Sequence, residues 1–157
     1  MAVRASTATK NTLLNALRTK FANGVIQIYG NAAQPARGDE APAGTLLGVA
    51  TLNAGTFTAG NPTNGLNFAP AANGAMDKPA GDVWQFKGIA NGIASYARMI
   101  PNAADPGTTD NSATYDRLDG RIGPSGSGAE VLMANTEVTV GATSTIDSWL
   151  IDWPPTF

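Results

Sequence analysis

A chain of 157 residues with a net charge of −2 is sized for one domain, and its 14 % charged residues fall well short of the usual quarter. It contains neither cysteine nor histidine, which excludes disulfides, Cys-ligated zinc or iron–sulfur sites, and every Ser-His-Asp or Cys-His nucleophile arrangement. Its few Lys and Arg are scattered rather than clustered, so no nucleic-acid partner is expected.

In chain order, residues 1–10 are small and polar and read as a mobile N-terminal arm, leaving residues 11–157 as a single domain. The first residues lead into a polar run rather than an apolar one, so no secretory signal is expected. No apolar run has the length of a membrane span, and no membrane partner is expected. Thr9 or Thr12 can cap a helix over 12–21 in which Leu13, Leu14, Leu17 and Phe21 share a buried face. The Asn23-Gly24 pair ends it, with glycine expected to take the left-handed cap.

Residues 25–29 form a β-branched and aromatic run that predicts a strand, and 45–52 predicts the next, with a loop carrying Pro35 and Pro42 between them. From 53 to 81 the signal weakens. Asn64-Gly65 and Asn73-Gly74, with three prolines, punctuate short extended pieces such as 66–68. Residues 83–87 alternate, placing Trp84 and Phe86 on one face of a strand. A strand follows over 93–100, then a loop over 101–112. A strand of mixed polarity, at a sheet edge or facing solvent, is expected over 114–122. The glycine-rich residues 123–128 read as loop, and three further strands follow at 131–133, 138–140 and 145–153. About eight short strands with one short N-terminal helix, and no alternation of strand with helix, predict an all-β chain. The architecture expected is an antiparallel β-sandwich or jelly roll.

The order of pieces resembles a family of small virion proteins of tailed bacteriophages. The resemblance rests on the helix running into Asn23-Gly24-Val25, on the Ile28-Tyr29 pair, and on the spaced prolines Pro35 and Pro42. It continues in Gly44-Thr45-Leu46-Leu47, the strand residues Gly92, Ala94, Ser95, Tyr96 and Arg98, the turn Gly141-Ala142-Thr143 and the terminal Pro154. It covers most of the chain, and the motifs are structural. It implies a non-enzymatic capsid cement or decoration protein, a β-sandwich that binds and stabilises the shell of major capsid protein. Members of the family form dimers on the head, so a homodimer or other homo-oligomer on the capsid exterior is implied. The protein would be made in the host bacterial cytoplasm and reside in the virion. The segment 53–81, the insertion 101–112 and the Trp-Pro-Pro-Thr-Phe end depart from the family pattern. An alternative role is that of a host-recognition or carbohydrate-binding module on a tail or fibre.

Candidate chemistry is sparse. Asp105, Asp110, Asp116 and Asp119 lack the alternate oxygen spacing and late Glu of an EF-hand and read as solvated loop carboxylates, so no metal is expected. Asp147 with Asp152 could serve as an acid pair, but nothing in the spacing favours it. Residues 123–128 lack the lysine and the strand–loop–helix setting of a phosphate loop. No catalytic residue and no cofactor follow from these patterns. Trp84, Trp149, Trp153, Tyr29 and Tyr96 could form a sugar platform or lie in the core. Trp153, Pro154, Pro155 and Phe157 are bulky groups expected to contact a partner subunit or to fold back on the chain.

Overall fold

In the computed structural model, which describes residues 4–102, 105–110 and 114–152, helix α1 (Thr7–Lys20) begins earlier than its apolar pattern. Ser6 is the reason: its Oγ accepts the Thr9 N–H at 3.2 Å and fixes the first turn, so residues 7–10 are helix and not arm. Arg18 and Lys20 in the last turn complement the helix dipole. Of the four apolar residues expected on one face, Leu14 and Phe21 are buried and Leu17 packs against the core. Leu13 is 47 % exposed, because a residue adjacent to Leu14 is turned about a quarter of the way round the helix.

A second stripe on α1 is polar. The Oδ1 atoms of Asn11 and Asn15 accept the backbone N–H groups of Gly74 (2.8 Å) and Ala71 (3.0 Å), and Arg18 Nε donates to Phe68 O at 2.8 Å. These residues stand at i, i+4 and i+7, so one helix face holds the irregular segment 68–74 by its backbone. Within that segment Asn73 (φ 55°) and Gly74 (φ 80°) make the tight turn their pairing predicts, closing mutual hydrogen bonds between Ala72 and Ala75.

The helix exit differs from expectation in one detail. Asn23 takes the left-handed conformation (φ 56°), not Gly24. Gly24 is needed for closeness: a Cβ there would collide with the carbonyl oxygen of Ile100, and its backbone exchanges two hydrogen bonds with Leu66.

The strands are β1 (Val25–Gly30), β2 (Thr45–Leu52), β3 (Ala75–Met76), β4 (Trp84–Lys87), β5 (Gly92–Ile100), β6 (Leu118–Gly123), β7 (Val131–Leu132), β8 (Glu137–Val138), β9 (Thr143–Ile146), β10 (Ser148–Trp149) and β11 (Ile151–Asp152). The chain is all-β with one short helix, as its pattern implies. The main sheet runs β10-β7-β6-β5-β1-β2-β4-β9, with β8 added to one end of β5, while β11 pairs β3 separately. All pairings are antiparallel except β6 with β7. β6 begins at Leu118, later than the run expected from 114, and pairs on both sides, so of the two alternatives the edge position fails while its exposed Arg121 fits the solvent-facing one.

The run expected as one last strand is divided into β9, β10 and β11, which pair with β4, β7 and β3 respectively. β9 and β10 lie at opposite ends of the strand order, yet only Asp147 separates them in the chain. The sheet therefore curls until its two ends meet. Asp77 secures that closure, accepting the Trp149 N–H and the Ser148 hydroxyl, both at 2.8 Å. Inside, Phe68 meets Trp84 and Trp149 edge-on at 5.5 and 6.0 Å, among Ile26, Ile28, Leu47, Phe86, Met99 and Ile146.

Because Leu14 is 1 % exposed and Leu13 is 47 % exposed, the two leucines should respond differently to truncation. Leu14→Ala is expected to cost about 2–5 kcal/mol. Leu13→Ala should stay within roughly 0.5 kcal/mol. Urea unfolding of the two variants checks this, and equal losses would contradict the orientation of α1.

Candidate functional site

β1 is buried along its whole length, on both faces. Ile26 and Ile28 point into the core, while Gln27 and Tyr29 face the other way and are covered by loops rather than by a second apolar layer. Tyr29 stacks on Tyr96 of β5 at 5.2 Å and 12°. Its hydroxyl donates to Gln27 Oε1 (3.1 Å), Gln27 Nε2 donates to Pro106 O (2.9 Å), and the Tyr96 hydroxyl donates to Ala43 O (2.8 Å). Burial pushes the Tyr96 hydroxyl up to about 12 and raises Tyr29 as well.

Two ion pairs complete this outer layer. Arg98 grips Asp119 of β6 through Nε and Nη2, both at 2.8 Å, and its Nη1 donates to Glu40 O (2.8 Å) and Gly107 O (3.1 Å). Arg117 grips Asp105 in the same two-pronged way at 2.8 and 2.9 Å, and donates to Thr109 O at 2.7 Å. The side chains of both pairs are essentially inaccessible, from 0 to 4 % exposed. Burial alone would raise the Asp105 carboxyl, but the Arg117 guanidinium and the Gly107 N–H outweigh it and hold it below its ordinary value. For Arg98 burial works toward a lower value, and Asp119 more than offsets this.

These contacts correct the reading of Asp105 and Asp119 as solvated loop acids: both are interior and saturated by guanidinium groups. Asp116 pairs with Lys20 at the surface at 3.3 Å, and Asp110 is exposed. No group of acids suited to a metal occurs among the described residues. Trp84, Trp149, Tyr29 and Tyr96 are all buried, so they form no exposed sugar platform. Asp147 accepts the Ala134 N–H (2.6 Å), while Asp152 lies on β11, so each belongs to a different structural joint. Trp153, and with it Pro154, Pro155 and Phe157, lies outside the described residues.

Among the described residues the polar layer borders a cleft. It measures about 770 Å³ and opens between Gln34 and Pro35 on one side and Ser127 and Glu130 on the other, floored by Asp119 and Arg121 of β6. The β6–β7 connection, read from sequence as plain loop, supplies the second wall. Arg121 donates from Nε and Nη2 to Glu130 at 3.2 and 2.6 Å, and from Nη2 to Gly128 O at 3.0 Å. Burial would raise the Glu130 carboxyl, and the bonds from Arg121 reverse this and lower it. The Gln34 Oε1 is buried with no hydrogen-bond donor among the described residues.

Besides Val49 and Val83, exposed apolar side chains among the described residues gather in two clusters. Leu13 and Leu17 line a groove of about 340 Å³ along α1, and Leu17 continues into a hollow of about 230 Å³ with Leu118, Leu150 and Ile151. At the far end of β5, Ile89, Ile93 and Val140 are 59, 62 and 57 % exposed. They stand close together because Gly88 bridges Val140 and Asn91 accepts the Val140 N–H.

Comparison with models of protein families, with curated proteins and with solved structures found no match to the chain.

Removing one partner of the inner ion pair leaves a buried charge uncompensated, so Arg98→Met is expected to cost roughly 3–5 kcal/mol. The double replacement Arg98→Met/Asp119→Leu should recover part of that loss in urea titrations. A single variant as stable as the double one would show that the pair does not bind the layer together. The same layer sets a pH window. Asp105 has a lower folded than unfolded value, so its contribution is present above the unfolded carboxylate value of about 3.9 and is lost as pH falls through the folded one. Tyr96 has a raised folded value, so its contribution is complete below about 10. It is lost as pH rises toward about 12. Chemical unfolding across pH should therefore show a plateau falling at both ends. Stability unchanged into the alkaline window would contradict the burial of the Tyr96 hydroxyl.

Proposed function

We propose that the chain is a non-enzymatic structural protein of a tailed-phage virion, a cement or decoration protein that attaches to the shell of major capsid protein. The observation that carries this reading is the pair of exposed apolar surfaces at opposite ends of β5. One contains Ile93 at the strand's start, and the other lies near α1, where Gly24 meets Ile100 at the strand's end. At ~3.3 Å of rise per residue, β5 itself separates its two ends by roughly 25 Å. A body with two separated apolar contacts suits the joining of neighbouring subunits, and charged groups such as Lys20, Asp152 and Glu137 at their margins supply a polar rim.

The residues that carry the family resemblance also support it. Asn23 and Gly24 turn the chain from helix to sheet, Tyr29 and Tyr96 stack, and Arg98 anchors the loops. These are positions a shared scaffold would retain while its docking surfaces varied. The buried acids are committed to arginine, which fits a role without chemistry. A tail or fibre location is separated from a head location by imaging labelled protein on intact particles.

The test is occupancy. Leu13→Lys and Ile93→Lys alter exposed side chains and should leave the isolated fold unchanged by thermal melting. Each is expected to lower the number of copies retained on purified particles by about tenfold, if each contact supplies about 1.4 kcal/mol. A variant lacking residues 153–157 tests the C-terminal segment in the same assay. Full occupancy with both lysine variants would overturn the two-surface reading.

A further inference from the structure

The cleft over β6 shares Asp119 and Glu130 with the hollow beside α1, but its lining is polar where that hollow is mostly apolar, and its chemistry points to a ligand of a different kind. We propose that it binds a neutral saccharide. Its volume of about 770 Å³ falls in the range of small-molecule sites, roughly 300–1,000 Å³. Every charged group lining it already has an opposite partner: Arg121 with Glu130, and Asp119 with Arg98. An anionic ligand would meet the Glu130 carboxylate, and a cationic one would meet Arg121. A neutral ligand with many hydroxyl groups meets neither penalty.

The lining offers donors and acceptors side by side, as vicinal hydroxyls require. Gln34 supplies an amide to the cleft wall, Ser95 and Ser127 supply hydroxyls, and the Arg121–Glu130 pair presents both kinds of group along one edge. Among the described residues Arg121 Nη1 has no acceptor, because Nε and Nη2 make the bonds to Glu130 and Gly128. Pro35, Ile122 and Ala129 give the apolar patches that the C–H faces of a pyranose cover. No aromatic ring lines the cleft, so binding rests on hydrogen bonds and belongs in the millimolar range. The inference does not depend on where in a particle the protein sits, and a protein that fails to occupy capsids could still bind sugar.

Amide chemical-shift mapping on the full chain tests it, with maltotriose, cellotriose and chitotriose as neutral probes, glucose as a monosaccharide and sialyllactose as an acidic one. At least one neutral trisaccharide should shift the amides of Gln34, Ser95, Arg121 and Glu130 in the millimolar range. Sialyllactose should bind at least several-fold more weakly. Equal shifts with glucose would support the same chemistry with a free sugar as its source, whereas larger shifts with trisaccharides would indicate a polysaccharide. Arg121→Ala should abolish the shifts; Arg121 is a surface side chain, 61 % exposed, so the fold should persist. Gln34→Leu provides a second variant with the same expected loss. Absence of shifts with every neutral probe at tens of millimolar would overturn the proposal. So would shifts unchanged in both variants, or a preference for sialyllactose.

Discussion

The guanidinium of Arg98 is the point on which the outer half of the molecule depends. It has no solvent exposure, and burying a charge without compensation would cost several kcal/mol. Compensation is complete in kind: two carboxylate oxygens from β6, one carbonyl from the loop after β1 and one from the loop after β5. One side chain thus fixes the relative positions of two strands and two long loops. Tyr96 adds the Ala43 carbonyl, Gln27 adds the Pro106 carbonyl, and Arg117 with Asp105 ties the second loop to itself. A small domain commonly covers the second face of a sheet with another sheet or with helices. Here loops cover it, and they hold because their backbone carbonyls find buried donors.

The opposite face is closed differently. Its core is apolar, and the sheet reaches closure through a joint at Asp147, where β9 and β10 depart to opposite ends of the strand order. This explains why the C-terminal run, extended by pattern, is divided into three short pairings. A single straight strand could not contact β4, β7 and β3. Asp77 contributes from the irregular segment between β2 and β4, which α1 in turn holds through Asn11, Asn15 and Arg18. Helix, irregular segment and C-terminal strands form one continuous chain of support. Phe68 sits at its centre against two tryptophans.

Much of this was legible in the sequence, and the failures share a cause. β2 coincides with the run 45–52, and β1, β4 and β5 match their β-branched and aromatic runs closely, because glycine, proline and asparagine bound them. The first turn of α1 was missed because Thr7, Ala8, Thr9 and Lys10 carry no apolar period; only the Ser6 hydroxyl and the helix behind it stabilise that turn. β6 looked like an edge or solvent-facing strand because Asp119 and Arg121 read as solvent-facing, whereas one is internal and the other lines a cleft. Spacing along a chain does not reveal an ion pair between residues 21 apart, as Arg98 and Asp119 are. By spacing alone the acids read as solvated, and the polar layer leaves no pattern in the sequence. Arg98 enters the sequence reading only as one residue of the strand motif that carries the resemblance, and nothing in that motif points to its ion pair.

The cleft and the scaffold meet in β6, and that has a physical consequence. Asp119 and Arg121 lie on the same face of that strand, two residues apart. The first is locked by Arg98 inside the layer, and the second is held by Glu130 at its rim. The cleft floor is therefore positioned by the same bonds that order the loops. A ligand contacting Arg121 finds a side chain already fixed by the bonds to Glu130 and Gly128, so little rotamer entropy remains to be lost there. The apolar side chains at the two ends make no such directional bonds. Ile93 projects from the start of β5, Ile89 and Val140 from the segments beside it, and Leu13 from the outer face of α1. Apolar contact is non-directional and tolerates imprecise placement, whereas recognition by hydrogen bonds does not.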